Sequence, residues 1–279
     1  LPMAGPVHSG TNQSSDSRPG DVLHKGLSPL ARRWVAEMNR LGMVIDGSHA
    51  SDAAIEQMIQ LSKTPIVLSH HGPDAIHDHL RNIPDALMRR LARSGGVMQM
   101  NTLFLRETST VEARDEIEER QKSWHVMTEA ERRQLIADRT AVEARSPENR
   151  ASFDLFMKGL LHSIRVMGVD HVGLGADWDG GGGLSDMPDI TTLAAITGRL
   201  RQAGYSEADI AKIWSGNTLR LLRQAERHAG QRPAPRRRPR RATRSATTLH
   251  PSPIGCSNCS SRRRDSWRSQ ADRSMCWRW

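Results

Sequence analysis

Short apolar segments alternate with amphipathic segments along most of the chain. Four of the apolar segments have the length of strands: MVID at 43–46, TPIVLS at 64–69, VMQMN at 97–101 and HVGLGAD at 171–177. The segments between them carry apolar residues at helical spacing. Strands that alternate with helices predict parallel pairing through right-handed crossovers, and so an α/β fold.

The first amphipathic segment, residues 26–42, carries start and stop signals for a helix. Ser28 is a suitable N-cap, Pro29 suits the first helical position, and Gly42 suits the stop. Its predicted buried stripe consists of Leu30, Trp34, Met38 and Leu41. Further helices are predicted in 51–62, 84–96, 107–146 (two helices outside the sheet), 153–168, 191–204 and 206–228. Residues 1–25 are rich in Ser, Gly, Pro and Asp and are predicted to form a loop.

Two architectures fit this alternation, an open doubly wound sheet and a (β/α)₈ barrel. In a barrel, functional residues lie at the carboxyl ends of the strands, and here polar residues follow three of the predicted strands. We therefore favour the barrel, although four predicted strands are fewer than the eight it requires.

Two histidines, His49 and His70, follow consecutive predicted strands in the segments VIDGSHAS and VLSHHG. Neutral imidazole is a good ligand for Zn²⁺, but a catalytic zinc site commonly takes about three protein ligands, so this pair is incomplete. The alternative is that each histidine caps a helix or bonds a backbone carbonyl. The further histidines of HHGPDAIHDH could also belong to a metal cluster, but a loop or surface position fits His71, His77 and His79 equally well.

Asp177 and Asp179 follow the strand VGLG and precede a run of glycines. A carboxylate there could act as a general base or acid beside a metal-bound water, or it could bond its own backbone in a glycine-rich turn. Arg81 lies eleven residues after His70. Its guanidinium could bind a substrate carboxylate through two parallel hydrogen bonds, although a solvated arginine is the default expectation.

The formal net charge of +9 comes from one end of the chain. Residues 230–279 carry a charge of +11, all of their basic residues being arginine, whereas residues 1–229 carry −2. We predict a globular part over 1–229 and a disordered tail over 230–279, which could bind nucleic acid or anionic membrane or be a shifted reading frame.

All three cysteines lie in this tail, which excludes a cysteine nucleophile elsewhere. No apolar run approaches the roughly 18–20 residues of a membrane span, and no localisation is predicted.

Four segments, in this order and spacing, resemble the membrane (renal-type) dipeptidase family of zinc peptidases: NRLGMVIDGSHASD, SKTPIVLSHHG, RNIPDALMRRLARSGGVMQMN and MGVDHVGLGADWDG. The similarity runs from about residue 7 to about residue 225. It implies a (β/α)₈ barrel of the amidohydrolase type, in which two zinc ions activate a water that cleaves dipeptides. A homodimer is a further expectation.

The resemblance also implies roles for individual residues. His49 and His70 match the two histidines of the second zinc, and Asp177 matches the aspartate that handles the proton of the bridging water. Arg81 matches the arginine that takes the substrate carboxylate. His8, in VHSGTNQSSDS, matches the histidine that polarises the scissile carbonyl and stabilises its oxyanion.

The resemblance places the remaining zinc ligands, a His-x-Asp pair and a bridging glutamate, upstream of the counterpart of His8. Because this chain begins seven residues before His8, we expect an incomplete barrel without its first strands and with half of the metal site. Two alternatives stay open. One is a related amidohydrolase that acts on another amide, and the other is a non-catalytic barrel remnant whose basic tail does the binding.

Overall fold

Five short strands alternate with helices in the computed structural model, which describes residues 2–18, 20–105, 112–145 and 150–230. The strands are β1 (Met3–Ala4), β2 (Val44–Ile45), β3 (Val67–His71), β4 (Val97–Met100) and β5 (Val172–Leu174). The helices are α1 (Pro29–Leu41), α2 (Asp52–Leu61), α3 (Asp85–Arg93), α4 (Glu112–Gln121), α5 (Glu129–Arg145), α6 (Phe153–Met167), α7 (Ala194–Gln202), α8 (Glu207–Ala211) and α9 (Asn217–Gly230).

All strand pairs are parallel, as the alternation predicts. β1 pairs with β2, and β3, β4 and β5 form a second set in that order. A parallel bridge between Asp46 and Val67 joins the two sets, and the backbone N–H of Gly47 donates to the carbonyl of Val67 at 2.8 Å. The strands therefore follow chain order without the reversal that defines a doubly wound sheet, which favours the barrel arrangement. That the barrel is incomplete, without its first strands, stays a prediction.

Strand β1 corrects the prediction of a loop over residues 1–25. Met3 pairs with Val44 and Ala4 with Ile45. A two-residue strand has no alternation to detect in the sequence, and its pairing depends wholly on β2. The neighbouring strands were predictable because strands buried on both faces are continuous apolar runs.

Helix α1 begins and ends where the sequence predicts, but its buried face differs from the predicted one. Ser28 Oγ accepts a hydrogen bond from the N–H of Ala31 at 3.2 Å, and Gly42 is left-handed with φ of 73°. Leu30 and Leu41 are 44% and 50% exposed, so the prediction was wrong for them. The buried face of α1 is formed by Ala31, Val35, Met38 and Asn39.

The loop between β1 and α1 is organised around the buried carboxylate of Asp16. This carboxylate accepts backbone hydrogen bonds from Leu23 and His24 at 2.9 Å and from Gly26 at 2.8 Å. Burial raises the pKa of Asp16, but the three N–H donors outweigh burial and hold the pKa below its ordinary value.

The charged segment 107–146 contains two helices, α4 and α5, as predicted, and the two pack against each other. The last predicted helix, 206–228, is interrupted by a π-helical turn at Lys212–Gly216 between α8 and α9. Asn217 begins α9, and its amide donates to the carbonyls of Val169 and Val172 at 2.8 and 2.9 Å, which ties the helix to the start of β5.

Within the described ranges no helix has both the length and the apolar character needed to cross a bilayer. The predicted tail over 230–279 lies, apart from Gly230 at the end of α9, outside the described residues. Its disorder, its binding to nucleic acid or anionic surfaces, and the boundary at residue 229 stay predictions.

Candidate active site

The site lies where the carboxyl ends of β2 and β3 meet. His49 follows β2, whereas His70 lies inside β3 rather than after it, because β3 extends to His71. A pocket of ≈ 400 Å³ opens at this edge. It is lined by Gly5, Pro6, Val7, His8, Asn12, Asp46, Ser48, His49 and His70. The backbone next to the unpredicted strand β1 thus forms one wall.

Three predicted site residues, His8, His49 and His70, form a row of rings in this pocket. The ring centroids of His8 and His49 are 4.1 Å apart, and those of His49 and His70 are 4.8 Å apart and nearly edge to face. The Nε2 atoms of His49 and His70 lie 2.8 Å apart. His8 is exposed, and its Nδ1 contacts Ser9 Oγ at 2.7 Å.

The environment keeps the central histidines neutral. Burial, together with the smaller effects of Arg81, His8 and His70, lowers the pKa of His49 to about 3. Burial also lowers the pKa of His70, although the negative charges of Asp177 and Asp46 oppose this effect. Near neutral pH both imidazoles therefore offer a nitrogen lone pair, which is the form that binds metal.

The backbone is strained at two of the predicted residues. His49 has φ of 71° and Asp177 has φ of 60°, in the left-handed region that side-chain-bearing residues seldom adopt. The carbonyl of His49 accepts from the N–H of Arg18 at 2.8 Å, and that of Asp177 accepts from Gly182 at 2.7 Å. Strain of this kind is held in place by surrounding contacts and is concentrated at functional sites.

The loop that carries Asp177 is fixed to the neighbouring strand ends. Thr102, just after β4, donates its hydroxyl to the carbonyl of Ala176 at 2.6 Å and accepts from the N–H of Gly183 at 2.7 Å. At Gly175 a Cβ atom would lie 1.9 Å from the carbonyl oxygen of Ser69, so only glycine allows this approach. Asp179 is exposed.

Arg81 is buried, which overturns the expectation of a solvated arginine. The residue is 7% exposed, and its Nε and Nη2 have no hydrogen-bond partner in the described part of the chain. Its Cζ lies 4.7 Å from the ring centroid of Phe104. Burial lowers the pKa of Arg81 to about 10, opposed by Asp177 and Asp46, so the guanidinium stays charged at neutral pH. A buried cation with two free donors is suited to an anionic ligand.

The histidines near His70 in the sequence do not all lie at the surface. His71 is 2% exposed, and its Nδ1 lies 3.2 Å from Ser48 Oγ, so the surface interpretation was wrong for it. His79 stacks on Phe104 with centroids 4.8 Å apart and accepts from the N–H of Arg81 at 3.0 Å. In residues 2–18, 20–105, 112–145 and 150–230, no three His, Cys, Asp or Glu side chains are grouped to hold a metal ion.

Asp46, Ser48 and Ser69 were not singled out from the sequence. The carboxylate of Asp46 accepts from the backbone N–H groups of Ser48 and Ser69 at 2.9 and 3.1 Å, and from Ser69 Oγ at 2.5 Å. A signal was present, because a serine precedes each of the two histidines at the ends of consecutive strands.

Comparison with known families decides the classification. The family model described as "Membrane dipeptidase (Peptidase family M19)" matches residues 4–236, most of the chain. This chain belongs to the membrane dipeptidase family. The expectation drawn from the four sequence segments is therefore confirmed.

Curated members of the membrane dipeptidase family are similar over part of their length. Dipeptidase tcpJ of Claviceps purpurea (strain 20.1) is 28% identical over 222 residues, which cover 79% of this chain and 44% of the relative. Dipeptidase 3 of Mus musculus is 29% identical over 202 residues, which cover 72% of this chain and 33% of the relative. The chain thus spans less than half the length of these two relatives.

Solved structures of membrane dipeptidase relatives share the fold. The crystal structure of the probable dipeptidase PvdM from Pseudomonas aeruginosa is similar with a TM-score of 0.66 and 29% identity, over 82% of this chain and 64% of that one. A metallo peptidase from Rhodobacter sphaeroides, liganded with a phosphinate mimic of the dipeptide L-Ala-D-Ala, is similar with a TM-score of 0.60 and 27% identity, over 81% and 56%. The expected α/β fold of the amidohydrolase barrel type is confirmed by these similarities.

Proposed function

We propose that this chain hydrolyses dipeptides with zinc and that His49 and His70 form part of its active site. The observation that carries the proposal is the pair of neutral imidazoles, His49 and His70, whose Nε2 atoms meet 2.8 Å apart in a pocket. The family match and relatives that are named dipeptidases support peptide hydrolysis, and the phosphinate-bound metallo peptidase supports a dipeptide as substrate.

The donor set of the pair fits zinc. Two neutral imidazole nitrogens that point at one another can turn toward a shared ion with small ring movements, and imidazole suits Zn²⁺. When bound, zinc supplies Lewis-acid chemistry that makes a water nucleophilic near neutral pH. Because catalytic zinc commonly takes about three protein ligands, the proposal assigns His49 and His70 to one half of a two-zinc site.

Arg81 is proposed to bind the free carboxylate of the dipeptide. Its Nε and Nη2 are the two donors of the guanidinium edge that suits a carboxylate in a paired arrangement. Phe104 supports the guanidinium from one face. Binding the carboxylate would satisfy donors whose burial is otherwise unfavourable, and this selects substrates with a free terminus close to the scissile bond.

Two residues are proposed to act on the reacting group. His8 is exposed beside His49, where its imidazole can donate a hydrogen bond to the scissile carbonyl oxygen as negative charge develops there. The negative charge of Asp177 raises the pKa of both His70 and Arg81, which supports a place near both groups. From there its carboxylate can carry a proton to the leaving amine.

The test measures zinc binding and dipeptide hydrolysis on the full chain. We expect zinc-dependent cleavage of an Ala-Ala dipeptide, and we expect His49→Ala to abolish both the binding and the cleavage. The matched control is His125→Ala, since His125 is exposed outside the pocket. Zinc binding without cleavage would overturn the dipeptidase activity of this chain. Equal zinc binding by His49→Ala, His125→Ala and the unaltered chain would overturn the metal site.

A further inference from the structure

The carboxylate of Asp46 connects to the ring of His70 through one hydroxyl. Ser69 Oγ lies 2.5 Å from Asp46 Oδ2 on one side and 2.8 Å from His70 Nδ1 on the other. Asp46 Oδ1 is already bonded to the backbone N–H groups of Ser48 and Ser69, so the carboxylate is held by three donors from two strand ends.

The direction of each hydrogen bond at Ser69 Oγ follows from which of its neighbours can donate and which can only accept. A carboxylate can only accept, and a hydroxyl has one proton to donate. The shortest contact of Ser69 Oγ is to Asp46, so its proton goes there, and the alternative acceptor Ser48 Oγ is farther away at 3.3 Å. The contact between Ser69 Oγ and His70 Nδ1 is then a hydrogen bond only if Nδ1 carries the hydrogen.

We propose that Asp46 and Ser69 form a relay that fixes His70 in the tautomer with hydrogen on Nδ1, so that its Nε2 lone pair faces the pocket. Both are positioning residues, because they act through His70. The inference rests on the proposed function in one respect only, namely that the ligand of His70 Nε2 is zinc. The tautomer itself is a property of the chain.

The same reasoning about donors and acceptors assigns a different tautomer to His49, with hydrogen on Nε2. Since Nε2 of His70 has no hydrogen, the 2.8 Å contact between the two Nε2 atoms requires the hydrogen to lie on Nε2 of His49. One imidazole is therefore ready to bind a cation, whereas the other must first move or lose a proton. Groups that orient a metal-binding histidine through its second nitrogen typically contribute about 10–100-fold to metal affinity.

The direct test is ¹⁵N–¹H correlation spectroscopy on the metal-free full chain with ¹⁵N-labelled histidine. We expect His70 to show a protonated Nδ1 and a bare Nε2. His70 with hydrogen on Nε2 would overturn the proposal, and this measurement requires no variant to fold.

Asp46→Asn makes the sharper test because it should reverse the direction of both hydrogen bonds at Ser69 Oγ. The amide nitrogen would donate to Ser69 Oγ, which frees the hydroxyl proton for His70 Nδ1 and moves the ring hydrogen to Nε2. Ser69→Ala should give a mixture of tautomers, and Ser69→Thr, which keeps the hydroxyl, should restore the unaltered state. Ser94→Ala is the control, since the hydroxyl of Ser94 donates to the carbonyl of Leu91, outside the pocket. An unchanged tautomer in folded Asp46→Asn would overturn the relay.

Zinc titration calorimetry separates this inference from the proposed function. Asp46→Asn and Ser69→Ala should weaken zinc binding about 10–100-fold, and Ser69→Thr should bind within about 3-fold of the unaltered chain. If the unaltered chain binds no zinc but His70 shows the expected tautomer, the proposed function fails and the relay stands. If zinc binds equally to all variants, the relay has no role in binding and that part of the proposal is wrong.

Discussion

Nε2 of His49 and Nε2 of His70 lie 2.8 Å apart, although the residues are separated by 21 positions in the chain. They meet because β2 and β3 are parallel neighbours joined by the bridge at Asp46, and parallel neighbours end at the same edge of a sheet. One hydrogen lies between the two Nε2 atoms in the proposed tautomers, and a bound cation would replace it.

Arg81→Lys should reduce kcat/KM for a dipeptide about 10–100-fold, because lysine cannot make the paired contact and a charged hydrogen bond contributes about 1.5–3 kcal/mol. The measurement compares a dipeptide with its C-terminal amide, which has no carboxylate. Only the dipeptide should be affected. Arg89→Lys is the control, because Arg89 is exposed on α3. Equal losses on both substrates would remove Arg81 from carboxylate binding.

Asp177→Asn should lower kcat about 10²–10⁴-fold while leaving zinc affinity nearly unchanged, because it removes a proton carrier. Asparagine tolerates the left-handed backbone found at this position, so the loop should keep its shape. Asp179→Asn, two residues away and exposed, is the matched variant and should stay active. A larger loss of kcat in Asp179→Asn would transfer the role to that residue.

Gly175→Ala should lower the free energy of unfolding by about 1–3 kcal/mol, the usual effect of overpacking, because its Cβ would collide with the carbonyl of Ser69. Gly198→Ala is the opposite control. It lies inside α7 with open space around the added carbon, and alanine there should stabilise by about 0.5–1 kcal/mol. Urea denaturation of both variants measures the difference, and equal stabilities would contradict the close approach of Gly175 to the carbonyl of Ser69.

Asp16→Asn should destabilise the chain by about 1–3 kcal/mol near neutral pH. Because the pKa of Asp16 is lowered by folding, its contribution to stability is present above the unfolded pKa of about 3.9 and is lost as the pH falls through the folded value. The stability gap between the variant and the unaltered chain should therefore narrow in acid. Denaturation at about pH 7 and about pH 3 tests this, with exposed Asp21→Asn as the control. A gap that widens in acid would contradict the assignment.

The order of strands and helices could be predicted from the sequence because buried parallel strands and amphipathic helices have distinct apolar patterns. β1 could not, since two residues carry no period and the strand exists only through its pairing with β2. The stripe of α1 was misplaced because it was drawn through the large apolar residues at helical spacing, whereas Ala31 and Val35 face the interior and Leu30 and Leu41 do not.

The position of the candidate site was predictable for the same reason, since strand ends in a parallel sheet converge. The sequence could not show that Arg81 is buried over Phe104, because that depends on a loop packed 23 residues farther along the chain. Nor could it show which nitrogen of His70 faces the pocket, which depends on a three-residue hydrogen-bonded contact between two strand ends.

The left-handed backbone at His49 and Asp177 gives the site a cost in conformational energy that glycine or asparagine would largely avoid. Variants of this chain selected in the laboratory only for resistance to heat should therefore accumulate such replacements at these two positions. The most heat-resistant descendants would then be those that had given up the groups proposed for chemistry, so thermal resistance and turnover would have to be selected together.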